Sequence, residues 1–125
     1  MKIDYNEVTL ILPKPPSLNK WYSGKHWSIR KKQKESYSAS IKDQLERIDK
    51  FTMDRFKVDV EYNCRYDVDN AITCVKFLAD YLRGDGYVVD DTPKYFFSQS
   101  TTFNQELNKD EFKATIRCYG YSTRE

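Results

Sequence analysis

Apolar and polar positions alternate cleanly in two stretches of the chain. Phe56, Val58, Val60, Tyr62 and Cys64 fall on one side, with Lys57, Asp59, Glu61 and Asn63 on the other. That is the pattern of a half-buried strand, whose side chains point alternately to opposite faces. Phe112, Ala114, Ile116 and Cys118 alternate in the same way with Glu111, Lys113, Thr115 and Arg117. Residues 7–12 (Glu-Val-Thr-Leu-Ile-Leu) predict a first strand, stopped by Pro13-Lys14-Pro15-Pro16. Residues 14–27 are then expected to form a loop. Residues 94–104, rich in aromatic and hydroxyl side chains, predict a further strand.

A helical period appears twice. Tyr37, Ile41, Leu45 and Ile48 share one face and predict a helix from about 28 to 49. Ile72, Val75, Ala79 and Leu82 predict a second over about 70–83, with Asp69 or Asn70 as a natural N-cap and Gly84-Asp85-Gly86 as its stop. The expected architecture is α+β: a single compact domain over residues 1–125, with a mixed sheet of roughly four to five strands and two main helices. The pattern leaves the order of the strands open.

Composition narrows the class. At 39% hydrophobic and 32% charged residues, the chain reads as soluble and globular. No apolar run approaches the roughly 20 residues of a membrane span, and the first residues lack the apolar core of a signal peptide. Cys64, Cys74 and Cys118 are odd in number and lack metal-ligand spacing, so reduced thiols in a cytoplasm are expected. With His26 the only histidine, zinc and a Ser-His-Asp triad are disfavoured.

Charge is distributed unevenly. The chain is +2 overall, yet Val8 to Lys34 contains no acidic residue and seven basic ones: Lys14, Lys20, Lys25, Arg30, Lys31, Lys32 and Lys34. Trp21, Tyr22, His26 and Trp27 lie among them, a mixture that suits phosphate backbones and unstacked bases. Four of these cations fall in the first turns of the expected helix, where its dipole disfavours them, which points to an anionic ligand there. The bland alternative is a solvated basic face.

Between positions 67 and 91 the balance reverses. Six Asp residues (67, 69, 80, 85, 90 and 91) stand against Lys76 and Arg83, a local charge of −4. Crowded carboxylates repel unless a cation or proton joins them. If the strand over 56–64 continues, Asp67 and Asp69 point the same way. On a continuous helix the opposite stripe is Asp69, Thr73, Lys76 and Asp80, with Lys76 projecting almost in the direction of Asp69. Asp67, Asp69, Asp90 and Asp91 would then supply oxygen ligands for Mg2+ if the helix folds back against the strand, and Lys76 would neutralise a scissile phosphate. Capping by the first group, a turn at the second, and an Asp80-paired Lys76 are the plainer alternatives.

The order Pro15-Pro16-Ser17-Leu18-Asn19, Tyr22, His26-Trp27, Arg30 with Lys34, then Asp67-x-Asp69-Asn70, Lys76, Asp80, Leu82, Gly86 and Asp90-Asp91 resembles the RusA family. These are Holliday-junction resolvases of phages and prophages, and the resemblance spans residues from about 9 to 119. It implies a homodimeric, Mg2+-dependent endonuclease (Mn2+ a possible substitute) of α+β fold that nicks four-way DNA junctions symmetrically in the host cytoplasm. By that resemblance Asp67, Asp69 and Asp91 match the essential carboxylates, with Asp90 beside them, and Asn70 matches the family's Asn. Some members carry the lysine three residues after the Asn, where this chain has Thr73. Lys76 lies one turn later and is the candidate here. The residues assigned to DNA are Lys14, Asn19, Lys20, Tyr22, Lys25, His26, Trp27, Arg30, Lys31, Lys34, Tyr66 and Asn70. A nuclease of the same site acting on other branched DNA, or a non-catalytic branched-DNA-binding protein, are the alternatives.

Overall fold

The period-two stretches are strands of one sheet. In the structure, a computed structural model that describes residues 6–22 and 27–123, they are β1 (Glu7–Leu12), β2 (Phe51–Tyr62), β3 (Phe96–Phe103) and β4 (Phe112–Thr123). The order is β1-β4-β2-β3. β2 and β3 run parallel and the other neighbours antiparallel, so the sheet is mixed. β2 starts at Phe51 rather than at 56 because Phe51 and Met53 are also buried, on the opposite parity to Phe56, Val58, Val60 and Tyr62. The alternation breaks at Asp54-Arg55, both exposed. There the Asp54 side chain fills the space beside Gly120, which adopts φ +83 and is glycine because a Cβ would strike that carboxylate.

Four helical segments accompany the sheet among the described residues: α1 (Leu18–Tyr22), α2 (Trp27–Leu45), α3 (Val68–Ala71) and α4 (Thr73–Gly84). α1 replaces part of the expected loop. Ser17 caps it, its Oγ accepting from the Lys20 N–H at 3.2 Å, and Trp21 turns inward. α2 buries Tyr37, Ile41 and Leu45 as the period requires, but ends at Leu45, short of 49.

The second helix is interrupted. At the junction of α3 and α4 the Thr73 hydroxyl donates to the Asn70 carbonyl at 3.3 Å, and such back-bonding competes with the regular ladder. Thr73 is fully buried and does not belong to an exposed acidic stripe. Counting 100° per residue from Asp69 to Lys76 therefore does not run through one helix. α4 ends in a Schellman motif: Gly86 N–H bonds to Arg83 O at 3.3 Å, Tyr87 N–H to Leu82 O at 2.9 Å, and Gly86 takes φ +79.

α2 packs over β1 and α4, and α4 over β2. At their centre the buried Phe77 ring meets Trp21 and Tyr37 edge-on, at 4.8 and 5.4 Å between centroids. The Tyr37 hydroxyl lies 3.3 Å from the Cys74 thiol. Burial pushes that thiol up to about 12, so it stays protonated and unreactive. All three cysteines are free.

The other sheet face carries a polar chain that crosses every strand. Glu7 pairs with Arg117 at 2.8 Å, Arg117 with Asp59 at 3.3 Å, and Ser100 donates to Asp59 at 2.6 Å. Burial alone would raise the Asp59 carboxyl, but the Ser100 and Arg117 hydrogen bonds, with the Lys57 and Arg117 charges, hold it below its ordinary value. A depressed carboxyl stabilises the fold above its unfolded pKa and loses that contribution as pH falls through the folded value. Urea unfolding of the wild type should therefore weaken below about pH 4. Asp59→Asn should flatten that decline and cost about 1 kcal/mol or less at pH 7, as a partly exposed pair does.

Candidate nucleic-acid interface and acidic segment

β2 ends at Tyr62, well before the acidic segment, so Asp67 and Asp69 do not extend a strand face. The chain bends over Cys64-Arg65, and Asp67 becomes the residue preceding α3. Two tyrosines fix this bend: Tyr62 Oη donates to the Tyr66 carbonyl, and Tyr66 Oη donates to the Pro15 carbonyl, each at 2.8 Å. Burial raises the Tyr66 hydroxyl above its usual value, so it remains a donor at neutral pH. The proline segment is thereby tied to the residue next to Asp67.

A second tie joins the same two segments. The Asn19 N–H donates to Asn70 Oδ1 at 3.0 Å, seating α1 against α3. Asn70 is thus a positioning residue rather than an N-cap. Neither Asp67 before α3 nor Ile72 before α4 makes a side-chain cap bond. The capping alternative accordingly leaves the carboxylates unused. Asp67 and Asp69 are exposed, and among the described residues neither carboxylate has a hydrogen bond or ion pair. The Lys76 ammonium is likewise without an ion pair among the described residues, because Asp80 is taken by Lys34 at 2.8 Å.

Asp90 and Asp91 sit elsewhere. After the helix stop, Tyr87-Val88 runs beside the beginning of β2: the Met53 N–H bonds to Tyr87 O at 2.7 Å, and Met53 bridges Val88 in parallel. Asp91 lies 3.6 Å from Arg83 on the last turn of α4. Asp90 Oδ1 accepts the Asp91 N–H at 2.8 Å. One pair of carboxylates therefore lies before the first turn of α4 and the other beside its last turn, about 15 Å along the helix axis. The run 87–89 does not carry the chain back. Among the described residues, no three His, Cys, Asp or Glu side chains gather into a metal-binding group.

The basic residues divide. Lys34 serves the α2–α4 ion pair, and Arg30 reaches inward, stacking on Trp21 at 5.5 Å and donating to its carbonyl at 3.3 Å. Lys31 pairs weakly with Glu35 along the helix and lies 6.0 Å from the centre of the exposed Trp27 ring. Tyr22 is exposed, whereas Lys25 and His26 lie outside the described residues.

Lys14 and Lys20 converge with Lys32 around an open groove of about 630 Å³, walled by Pro15, Tyr37 and Tyr66, with no acidic residue in its lining. Across Tyr66 a second cleft of about 540 Å³ brings Lys14 together with Arg65, Lys109 and Asp110. Lys14 stands 5.5 Å over the Tyr66 ring, between the two. A cationic track therefore runs past Tyr66, the neighbour of Asp67. Arg65 and Lys109 were not among the residues assigned to DNA, since neither lies in the basic run, and only the fold brings them alongside it. No protein-family model matches the chain, and no curated protein matches it either. No described helix is long and apolar enough to cross a membrane.

Proposed function

We propose that this chain is a RusA-type, magnesium-dependent endodeoxyribonuclease that cuts four-way DNA junctions by paired nicks, acting as a homodimer in the cytoplasm of a bacterial host. The observation that carries this reading is the pair of carboxylates, Asp67 and Asp69, without partners among the described residues and beside the cationic track, with the Asn19–Asn70 bond seating the Pro-Pro-Ser-Leu-Asn segment against them.

The donors present suit magnesium, which takes hard oxygen ligands and is often held by one or two carboxylates plus a substrate phosphate. Asp67 and Asp69 would hold it, and when bound it would supply charge neutralisation and an activated water. Lys14, Lys20 and Lys32 neutralise backbone phosphates and make binding steeply salt dependent. Arg65 and Lys109 extend that contact beyond Tyr66. Lys76, without an ion pair among the described residues, is the cation for the phosphate under attack. The separation of Asp91 from Asp67 within one chain favours a second reading, a branched-DNA-binding protein that does not cut.

One assay separates them. Synthetic four-way junction, flap and linear duplex of equal length are incubated with the protein and magnesium at one salt concentration. Paired nicks in the junction alone, abolished by EDTA, are expected. Equal cutting of all three would remove junction selectivity. Junction binding that survives EDTA, with no cutting under magnesium or manganese, would establish the non-catalytic reading.

A further inference from the structure

Two clefts meet at Tyr66, and they differ in one charge. The groove walled by Pro15 and Tyr37 has no acidic residue in its lining, whereas the cleft beyond Tyr66 has Asp110. Its Oδ1 lies 3.8 Å from the Lys14 ammonium, and Arg65 and Lys109 line the same cleft. Among the described residues neither Arg65 nor Lys109 has an ion pair. One carboxylate therefore stands among three cations, in the kind of place a backbone phosphate would take.

The Asp110 backbone is held firmly. Its N–H donates to the Asn63 carbonyl at 2.6 Å, and the Asn63 N–H donates to the Glu111 carbonyl at 3.1 Å. The Asn63 side-chain amide also donates to the Leu107 carbonyl at 2.8 Å, which fastens the β3–β4 connection to the end of β2. Asp110 takes φ +63 and is the one non-glycine in that left-handed region among the described residues. Aspartate and asparagine adopt it more readily than other side chains. The turn itself needs no carboxylate, since asparagine or glycine would serve the same backbone.

Nor does the ion pair do much for the fold. Both side chains are partly exposed, and such pairs are worth little because solvent screens them and ordering two side chains costs entropy. A stronger partner can displace either member. Lys14 lines both clefts and stands over the Tyr66 ring between them, so a strand that passes Tyr66 meets it.

We propose that Asp110 is a specificity-determining residue that occupies the phosphate position beside Lys14, Arg65 and Lys109 until a DNA strand displaces it. The carboxylate withholds Lys14 from weakly held strands and repels phosphates entering the cleft. A strand reaches Lys14 only when its contacts elsewhere on the track offset that repulsion. Repulsion of this kind discriminates between ligands as effectively as new attraction does. The role rests on DNA being the ligand of the cationic track, and not on cutting.

Binding is therefore measured in EDTA, where cutting plays no part. In fluorescence anisotropy with a linear duplex at one low salt concentration, Asp110→Asn should bind about three- to fivefold tighter than the wild type, the upper range for one exposed charge. Asp110→Gly keeps the left-handed backbone and should behave alike. Lys14→Met should weaken Asp110→Asn more than it weakens the wild type, because only without the carboxylate is Lys14 available before DNA arrives. Equal or weaker binding by both Asp110 variants, with unchanged circular dichroism spectra, would overturn the proposal and leave Asp110 as a turn residue that orients Lys14. Equal effects of Lys14→Met in the two backgrounds would overturn it too, since the charge would then act without holding Lys14.

Inorganic tripolyphosphate tests the cleft without DNA. A ligand of the native state raises the melting temperature by mass action, and Asp110→Asn should gain more than the wild type. Equal shifts, or none in either protein, would refute the carboxylate as a phosphate stand-in. A wild type that binds no DNA removes the nuclease reading, while tripolyphosphate still decides what Asp110 does.

Discussion

Asp67→Ala should reduce junction cleavage by roughly a thousandfold or more while changing stability by less than about 0.5 kcal/mol. The first number follows from the several kcal/mol of charge stabilisation that a phosphate-bound metal contributes, at about 1.4 kcal/mol per tenfold in rate. The second follows from the structure. Asp67 is exposed and makes no side-chain cap bond, so truncating it removes no hydrogen bond among the described residues. A capping aspartate behaves in the opposite way, costing about 0.5–2 kcal/mol when replaced by alanine, with no direct effect on chemistry. Single-turnover cleavage and urea unfolding on the same preparation distinguish the two. Cleavage within tenfold of wild type, together with a clear loss of stability, would return Asp67 to a structural role.

Phe77→Ala should destabilise the protein by about 3–5 kcal/mol, a large share of the roughly 5–15 kcal/mol that holds a domain of this size. Phe77 is fully buried on α4 and touches both Trp21 of α1 and Tyr37 of α2. Removing the ring leaves a cavity where three helices meet, and aromatic pairs add to the area term. The loss should be read in the denaturant midpoint. It should exceed that of Phe103→Ala, since Phe103 is half exposed on the sheet edge. A cost under about 1 kcal/mol would mean that α1 and α2 close around the gap.

Much of the fold was legible from spacing. Leu10 and Leu12, the even positions of β2 from Phe56, and Phe112, Ala114, Ile116 and Cys118 are buried as their alternation requires, and Tyr37, Ile41 and Leu45 as theirs does. The reading failed where a local bond overrides a period. Ser17 capping turns a proline-rich loop into α1, and Thr73 back-bonding splits one expected helix into two. Both signals were present as residue types, Ser after Pro-Pro and Thr inside a helical stripe. Nothing in a one-dimensional pattern says which hydroxyl will compete with the backbone.

The candidate site divides along the same line. The acidic segment, the basic run and the Pro-Pro-Ser-Leu-Asn motif are stretches of consecutive residues, and the sequence by itself determined their chemistry. Which side chains remain available was decided by packing. The fold assigns Lys34 to Asp80 and Arg30 to Trp21, leaves Asp67, Asp69 and Lys76 without ion-pair partners among the described residues, and brings Arg65 and Lys109 to the basic track. It also sets Asp91 beside Arg83, away from Asp67. Periodicity reports which face a residue occupies on its own element. Distance between elements depends on strand order and on where a helix stops, and those follow from contacts between residues far apart in the chain.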